Sequence, residues 1–324
     1  MAEELVIVDT DVGVDDAMAL LLALSNPSRC RVLAITCVAG NVDLPRVYTN
    51  TLRILNFCNQ LQASGASSPT QLGASTPLTH HDSHPVCHGQ DGLGGVAEQL
   101  PLPDDYAEAP RKHASAAMVE LVRAHPGSVT LVALGPLSNV ALAQRLDPGF
   151  LGALRRLVIM GGTFDARGNE TAVGEFNFAW DPEAASVVLS EAECETKLLT
   201  FEPCLQHTID WAWCDRWVSG DSPKARLVKA VTKSTKQRQR HEIHQRGFSC
   251  CDMLAMAAVL QPSLVTRCEA FPAWVELHGA TTRGMLVVDR RPSINWNHGR
   301  PPHVQFLLGF DMEALKELYE HMLR

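Results

Sequence analysis

Four aspartates lie close together near the start of the chain, and carboxylates at this spacing could bind a cation. They are Asp9, Asp11, Asp15 and Asp16, in the string DTDVGVDD. Their negative charges repel one another unless a positive charge lies among them. A hard divalent cation such as calcium, which takes oxygen ligands from carboxylates, carbonyls and water, would supply that charge. Asp15 and Asp16 could instead complement the positive end of a helix, but this alternative leaves Asp9 and Asp11 unexplained.

Two other chemistries can be tested on the sequence. An apolar strand followed by DxD resembles the start of haloacid-dehalogenase-type phosphatases, in which the first Asp is the nucleophile. Such enzymes should also carry a GDxxxD loop, and the nearest string, GDSPKA at 220–225, lacks the closing Asp. A zinc site is disfavoured because no CxxC pair or second cysteine cluster accompanies Cys87. The histidines near that cysteine are His80, His81, His84 and His88.

The elements that would position the aspartates alternate along the chain between short β-rich runs and helical stretches. Strands are predicted at 5–8, 32–38, 129–134, 157–160 and 197–200. Helices are predicted at 45–60, 113–124, 139–145, 182–190, 252–260 and 312–322, besides one after the aspartates that ends at Asn26-Pro27. The alternation predicts one α/β domain over 1–324, with an open, mostly parallel, Rossmann-like sheet and helices on both faces.

Polar segments follow four of the predicted strands. These segments are DTDVGVDD, AGN, GPLSN and GGTFDARGN. In open α/β sheets, ligands bind outside the carboxyl ends of the strands. We therefore expect the four segments to meet at one rim of the sheet. The polar, basic stretch at 233–246 could be either a solvated helix face or a binding patch, and the solvated face is favoured.

Composition narrows the classes of function. The chain has 324 residues, of which 46% are apolar and 20% charged, as in ordinary globular proteins. A net charge of −8 argues against nucleic acid as a partner, because phosphate binding requires a basic surface. Neither a signal peptide nor a membrane span is predicted, and ten irregularly spaced cysteines favour reduced thiols. We expect a cytoplasmic protein with a small uncharged substrate.

The segment VDTDVGVDDAMALLLAL resembles the N-terminal signature of the inosine-uridine-preferring nucleoside hydrolases. The resemblance continues in family order along nearly the whole chain. The further blocks are VAGN at 38–41, HGQDGLGG at 88–95, ALGPLSN at 133–139, MGGTFDARGN at 160–169, GEFNFAWDPEAA at 174–185 and VVDRRP at 287–292. The resemblance implies calcium-dependent cleavage of the N-glycosidic bond of ribonucleosides, and assembly as a homodimer or homotetramer.

The resemblance also implies roles for individual residues. The calcium ligands would be the carboxylates of Asp11, Asp16 and Asp252 and the main-chain oxygen of Leu134. Asp11 would also remove a proton from the attacking water, so that cleavage is a single displacement. The residues that match the ribose-binding positions are Asp15, Asn41, Asn169, Glu175 and Asn177. Alternatively, Asn169 could be a turn residue and Glu175 a solvated side chain.

One departure from the family pattern concerns the acid that protonates the leaving base. Many members have His immediately before the aspartate matched by Asp252, whereas this chain has Cys251. Cys251 could donate a proton, although it is a poorer donor than imidazolium, or it could simply pack beneath the metal site. His88, His241 and His244 are the other candidates. If none of them serves, the chain would be a nucleoside-binding protein with little or no turnover.

Overall fold

The computed structural model describes residues 4–61, 70–72, 78, 87–104, 112–291 and 303–324. In these ranges the strands are β1 (Glu4–Thr10), β2 (Cys30–Cys37), β3 (Thr70–Leu72), β4 (Val129–Ala133), β5 (Arg156–Met160), β6 (Glu195–Leu199), β7 (Ile209–Asp210), β8 (Gly247–Phe248), β9 (Val265–Phe271), β10 (Ala273–Val275), β11 (Leu286–Val288) and β12 (Val304–Phe310). The helices are α1 (Val14–Leu24), α2 (Leu44–Leu61), α3 (Ala114–Ala124), α4 (Ser138–Leu146), α5 (Phe176–Trp180), α6 (Pro182–Glu191), α7 (Phe201–Gln206), α8 (Trp211–Trp217), α9 (Pro223–Val231), α10 (Lys233–Gln237), α11 (Cys251–Leu260) and α12 (Met312–Met322).

An eight-stranded sheet forms the centre of the fold, in the order β3-β2-β1-β4-β5-β6-β12-β9. All neighbours are parallel except β12 and β9, which are antiparallel. Asp9 of β1 lies opposite Thr36 of β2 on one side and Ala133 of β4 on the other. The segments that follow these three strands therefore start side by side. The predicted open, mostly parallel sheet is confirmed.

Side chains alternate along β1 between two apolar cores. Val6 and Val8 pack in a core with buried residues of α1, α2, α11 and α12. Ile7 points the other way and packs with buried residues of α3, α4 and α6. Because successive residues of a strand face opposite sides, a sheet covered on both faces has continuously apolar strands, as seen here. The prediction of helices on both faces is confirmed.

Two buried helices begin at the carboxyl rim of the sheet. In α11 every residue from Asp252 to Leu260 is buried, and nine of the eleven residues of α1 are buried as well. A helix that is apolar on all sides is stable only when other elements surround it. The two helices share one core, and each carries an aspartate in its first turn, Asp16 in α1 and Asp252 in α11.

The predicted elements agree closely with the structure. All five predicted strands and all six bounded predicted helices are present, and their ends shift by two residues at most. The stretch at 233–246 forms α10 and a π-helical turn, Arg238–Glu242, without a buried residue, as a solvated face requires. Among the described residues, no helix is both long and apolar enough to cross a membrane. Of the histidines considered for zinc, His80, His81 and His84 lie outside the described residues.

Candidate active site

Three carboxylates converge at the rim of the sheet. One carboxylate oxygen from each of Asp15, Asp16 and Asp252 lies within 4.8 Å of the other two. Asp15 and Asp16 are in the first turn of α1, and Asp252 is in the first turn of α11. The positive ends of two helices therefore face the cluster and offset part of its charge. This arrangement provides oxygen ligands of the kind that a hard divalent cation prefers.

The Asp16 carboxylate is held by hydrogen bonds from three directions. Its Oδ1 accepts from the Thr10 hydroxyl at 2.5 Å. Its Oδ2 accepts from the Gly13 N–H at 2.8 Å and from the Asn41 side-chain amide at 3.2 Å. Asp15 differs, because its Oδ1 is buried and has no hydrogen-bond partner among the described residues. A buried carboxylate oxygen without a partner is costly, and a bound cation would remove that cost.

Asp11 is enclosed by backbone that only glycine permits. Its Oδ2 accepts the N–H of Asn41 at 2.8 Å. A Cβ on Gly40 would lie 2.1 Å from that oxygen, and a Cβ on Gly135 would lie 2.7 Å from Oδ1. The glycines of AGN and GPLSN thus allow two loops to close over one carboxylate. Asp11 was expected to converge with Asp16 and Asp252, but the third aspartate of the converging set is Asp15.

The carboxyl groups of the cluster have raised pKa values. Burial is the largest cause, and it raises the pKa of Asp15 to about 6. Burial and repulsion from Asp16 raise the pKa of Asp11 well above its usual range. Burial and repulsion from neighbouring aspartates likewise raise the pKa values of Asp16 and Asp252. The raised pKa values show that no neighbouring side chain supplies enough positive charge to offset the negative charge of these carboxylates.

The Leu134 carbonyl immediately precedes Gly135, which lies against Asp11. Its oxygen accepts a hydrogen bond from Asn177 Nδ2 at 2.7 Å, which leaves the second lone pair of a carbonyl oxygen for another ligand. Glu175 caps α5 and accepts the N–H groups of Gly162 at 2.7 Å and Asn177 at 3.0 Å. Burial raises the pKa of Glu175 to about 7. Glu175 is therefore not a solvated side chain.

Asn169 lies at the outer edge of the site. It is exposed, in the turn that follows Gly168, and its Oδ1 accepts the N–H of Phe176 at 2.9 Å. The turn requires Gly168, because a Cβ there would lie 2.2 Å from the Thr171 carbonyl oxygen. Asn169 is thus a turn residue by geometry. This position also leaves it next to Glu175 at the start of α5.

His88 lies directly over the aspartate loop. Its Nδ1 accepts the N–H of Val14 at 3.0 Å and lies 3.5 Å from Asp15 Oδ1. An Nδ1 that accepts a hydrogen bond places the ring proton on Nε2. Burial lowers the pKa of His88 to about 4, so the ring is neutral at pH 7. It can donate a hydrogen bond from Nε2 but does not hold the second proton of an imidazolium.

Cys251 begins α11, immediately before Asp252. A hydrogen bond with the Cys204 thiol, together with burial, raises the pKa of Cys251 well above its usual range. The thiol therefore keeps its proton at neutral pH and is a weak acid. His241 and His244 are exposed in and after the π-helical turn, and no contact among the described residues joins them to the carboxylates.

A buried carboxylate beneath the cluster was not assigned a role from the sequence. Asp9 Oδ1 accepts from the Thr36 hydroxyl at 2.6 Å and from Asn139 Nδ2 at 2.8 Å. Burial raises the pKa of Asp9 to about 7. Asn139 also donates to the Cys37 carbonyl and so joins α4 to both β1 and β2. The sequence offers one signal for this position. Successive side chains of a strand point to opposite faces, so Asp9 must lie on the face of the sheet opposite to Thr10.

Comparisons with known proteins agree with this geometry. Residues 6–317 match the model of the inosine-uridine preferring nucleoside hydrolase family. The chain is 34% identical over 298 residues to the inosine-uridine preferring nucleoside hydrolase of Leishmania major, which covers 88% of each chain. It is 32% identical over 323 residues to a non-specific ribonucleoside hydrolase, RihC, of Escherichia fergusonii, covering 98% of this chain and 97% of the relative.

A solved structure shows the same fold over the full length. An inosine-guanosine nucleoside hydrolase superposes with a TM-score of 0.89 at 28% identity and covers 99% of both chains. A plant nucleoside hydrolase gives 0.86 at 27% identity, covering 99% of this chain and 98% of the other. The family match, the identity over most of the chain and the shared fold lead to one conclusion. The chain belongs to the inosine-uridine preferring nucleoside hydrolase family and is a nucleoside hydrolase.

Proposed function

We propose that the chain hydrolyses the N-glycosidic bond of ribonucleosides in a calcium-dependent reaction, releasing ribose and a free nucleobase. The observation that carries this proposal is the convergence of Asp15, Asp16 and Asp252 beneath a polar rim, with a buried oxygen of Asp15 left without a partner. Ribose presents hydroxyl groups, and carboxylates, amides and a cation are the groups that bind hydroxyls in a buried site.

The residues present fit a calcium ion. The converging donors are carboxylate oxygens, and neither cysteine nor histidine belongs to the set found among the described residues. Hard oxygen donors favour calcium or magnesium over zinc. Asp16 and Asp252 would bind the ion, with the free lone pair of the Leu134 carbonyl as a third ligand. Asp11 would be a further ligand after a small movement of its side chain, and Asp15 would be shared between the ion and ribose.

Ribose would lie between the two sides of the site. Asp15 comes from the first turn of α1 and Asn41 from the loop after β2, whereas Asn169, Glu175 and Asn177 come from the segment after β5. Asn41 already donates to Asp16 through its side chain and to Asp11 through its main chain, so it ties the sugar site to the ion site. Carboxylates on both sides would stabilise the positive charge that develops on the sugar.

Asp11 is the proposed general base. It is buried, and the Asn41 N–H that its Oδ2 accepts fixes the carboxylate within the loops that close over it. When bound, the cation would supply Lewis acidity that makes a neighbouring water more acidic. Asp11 would take the proton of that water, and the oxygen would attack the anomeric carbon in a single displacement. The electron pair of the glycosidic bond would leave with the base.

Protonation of the departing base is the step for which the residues of this protein are least suited. His88 is neutral at pH 7, and the Cys251 thiol has a raised pKa. Neither group matches the near-neutral pKa of an efficient general acid. This observation favours a second candidate function, a nucleoside-binding protein with little turnover. The remaining candidate acids, His241 and His244, would have to reach the base from their exposed positions.

The test is a panel of purine and pyrimidine ribonucleosides, with release of free base followed by chromatography. Reactions with calcium and with a chelator should differ by at least about a hundredfold in rate, because the carboxylates repel one another without the ion. Release of base at equal rates in chelator would overturn calcium dependence. Tight binding without release of base would establish the second candidate function.

Further proposals concern the setting of the enzyme. We propose that residues 1–324 form a single domain and that the protein assembles as a homodimer or homotetramer. We also propose that it works in purine and pyrimidine salvage in the cytoplasm, with nucleosides rather than nucleic acid or a membrane as its partner. The ten cysteines carry free thiols, which supports a reducing compartment. Light scattering and cell fractionation test these statements.

A further inference from the structure

A buried glutamate outside the carboxylate cluster binds the backbone of the loop between β5 and α5. Glu202, in α7, is 5% exposed. Its Oε2 accepts the N–H of Phe164 at 2.7 Å, and its Oε1 accepts the N–H of Asp165 at 2.8 Å and of Arg167 at 3.4 Å. Three backbone donors from one short segment therefore converge on one side chain.

The backbone conformation of this segment explains why an anion is required. Ala166 has a φ of 56°, in the left-handed region. A turn that includes a left-handed residue directs successive N–H groups toward one point and forms a concave anion site. Glu202 fills this concavity with its own carboxylate. Without the Glu202 carboxylate, these part-buried N–H groups would lose their acceptor, and nothing would offset the strain of the left-handed residue.

A second side chain, Arg290, also holds this segment. The Arg290 guanidinium lies 4.0 Å from the centre of the Phe164 ring and donates to Asp165 Oδ1 at 2.9 Å. Two residues beyond Arg167, the loop reaches Asn169, whose Oδ1 accepts the N–H of Phe176. A short backbone path thus connects the segment held by Glu202 to Asn169, whose own turn is held by hydrogen bonds from the Gly168 N–H to the Ala172 carbonyl and from the Glu170 N–H to the Gly174 carbonyl.

We propose that Glu202 is a positioning residue for the sugar site, acting through the 164–167 backbone on Asn169; the inference rests on the proposed role of Asn169 in binding ribose. Glu202 touches no reacting atom. Its carboxylate holds the loop in the conformation that binds substrate, so its loss weakens substrate binding more than it slows bond cleavage.

The test compares Glu202→Gln with the wild type in steady-state kinetics on one ribonucleoside. Glutamine keeps the shape of the side chain but has a single acceptor oxygen. Either the Phe164 N–H or the N–H groups of Asp165 and Arg167 would then face an NH₂ donor. We expect KM to rise about tenfold and kcat to change by less than about threefold, the pattern of lost binding that is equal in ground and transition states. Glu170→Gln, which removes an exposed charge from the same loop, is the matched control and should leave both constants within about twofold.

Hydrogen exchange supplies a readout that does not depend on turnover. The amides of Phe164 and Asp165 should exchange at least about ten times faster in Glu202→Gln than in the wild type, because they lose a charged acceptor. Glu202→Asp keeps the charge on a shorter stem and should recover part of both effects. If Glu202→Gln does not fold, KM and hydrogen exchange are measured on Glu202→Asp instead.

The outcomes separate this proposal from the proposed function. A wild type that releases no base contradicts hydrolysis, and the dissociation constant for the nucleoside then replaces KM, with the same tenfold weakening expected. Unchanged exchange at residues 164 and 165, or an unchanged KM, overturns the role of Glu202. A proportional fall in kcat with a lower melting temperature and an unchanged KM would also overturn it, because that pattern indicates a purely structural residue.

Discussion

Replacing Asp9 by asparagine should stabilise the metal-free protein at high pH and leave it nearly unchanged at low pH. Burial raises the pKa of Asp9 from 3.8 to about 7. Between these two values the folded protein holds a proton that the unfolded chain has lost, so stability falls as pH rises through this window. The shift is about three pK units at about 1.4 kcal/mol each, so the charged side chain costs the folded state about 4 kcal/mol. Asparagine is close to the protonated form in shape and does not titrate.

The assay is urea unfolding in chelator at pH 5 and pH 8. The Asp9 side chain is already largely charged in the unfolded chain at pH 5, so part of the loss has occurred there and the window between the two pH values covers about 2 to 3 kcal/mol of the total. The wild type should lose that much more stability over this interval than Asp9→Asn does. Asp43→Asn, at a side chain that is 53% exposed, is the control and should parallel the wild type. Equal pH slopes for the wild type and Asp9→Asn would refute the reasoning.

Three further predictions concern the site. Calcium at about a hundred times its Kd should stabilise the wild type by about 2.7 kcal/mol, and this gain should vanish in Asp252→Ala, as measured by thermal unfolding; equal stabilisation of the variant would place the ion elsewhere. Gly40→Ala should lower kcat at least about a hundredfold, because the new Cβ would lie 2.1 Å from Asp11 Oδ2, whereas Gly220→Ala meets only Ala225 Cβ at 3.8 Å and should be silent; an active Gly40→Ala would show that the position of Asp11 is not critical. Cys251→Ala should change the rates on inosine and on p-nitrophenyl riboside by the same factor, because a thiol with a raised pKa is a poor acid; a loss on inosine alone, with p-nitrophenyl riboside spared, would instead assign Cys251 as the acid that protonates the base.

Much of the fold was predictable because local patterns and tertiary packing agree. The strands of the parallel core are apolar runs followed by polar loops, and the helices between them have clear beginnings and ends. Three strands of the eight-stranded sheet were not predicted, namely β3, β12 and β9. None of the seven residues of β9 is buried, so no buried side chains reveal this antiparallel edge strand in the sequence. Only its pairing with β12, about forty residues later in the chain, defines it as a strand.

The candidate site was predictable in residue type but not in arrangement. The aspartate string indicated a cation site, and the structure places these residues at the rim expected from the strand ends. The convergence of Asp15, rather than Asp11, with Asp252 depends on how α1 and α11 pack, which spacing along the chain does not encode. Glu202 belongs to none of the sequence motifs, so it could not be singled out from the sequence. Its role follows from backbone N–H groups that become visible only when the loop is folded.

The most direct test of the central claim is the activity of Asp11→Asn with saturating calcium on both inosine and p-nitrophenyl riboside. Both substrates require the same water, so loss of the base should lower kcat for each by about 10² to 10⁴. Folding and calcium stabilisation are measured in parallel to show that the site remains assembled. Asp11→Asn with the wild-type kcat on either substrate would contradict the assignment of Asp11 as the base that activates water.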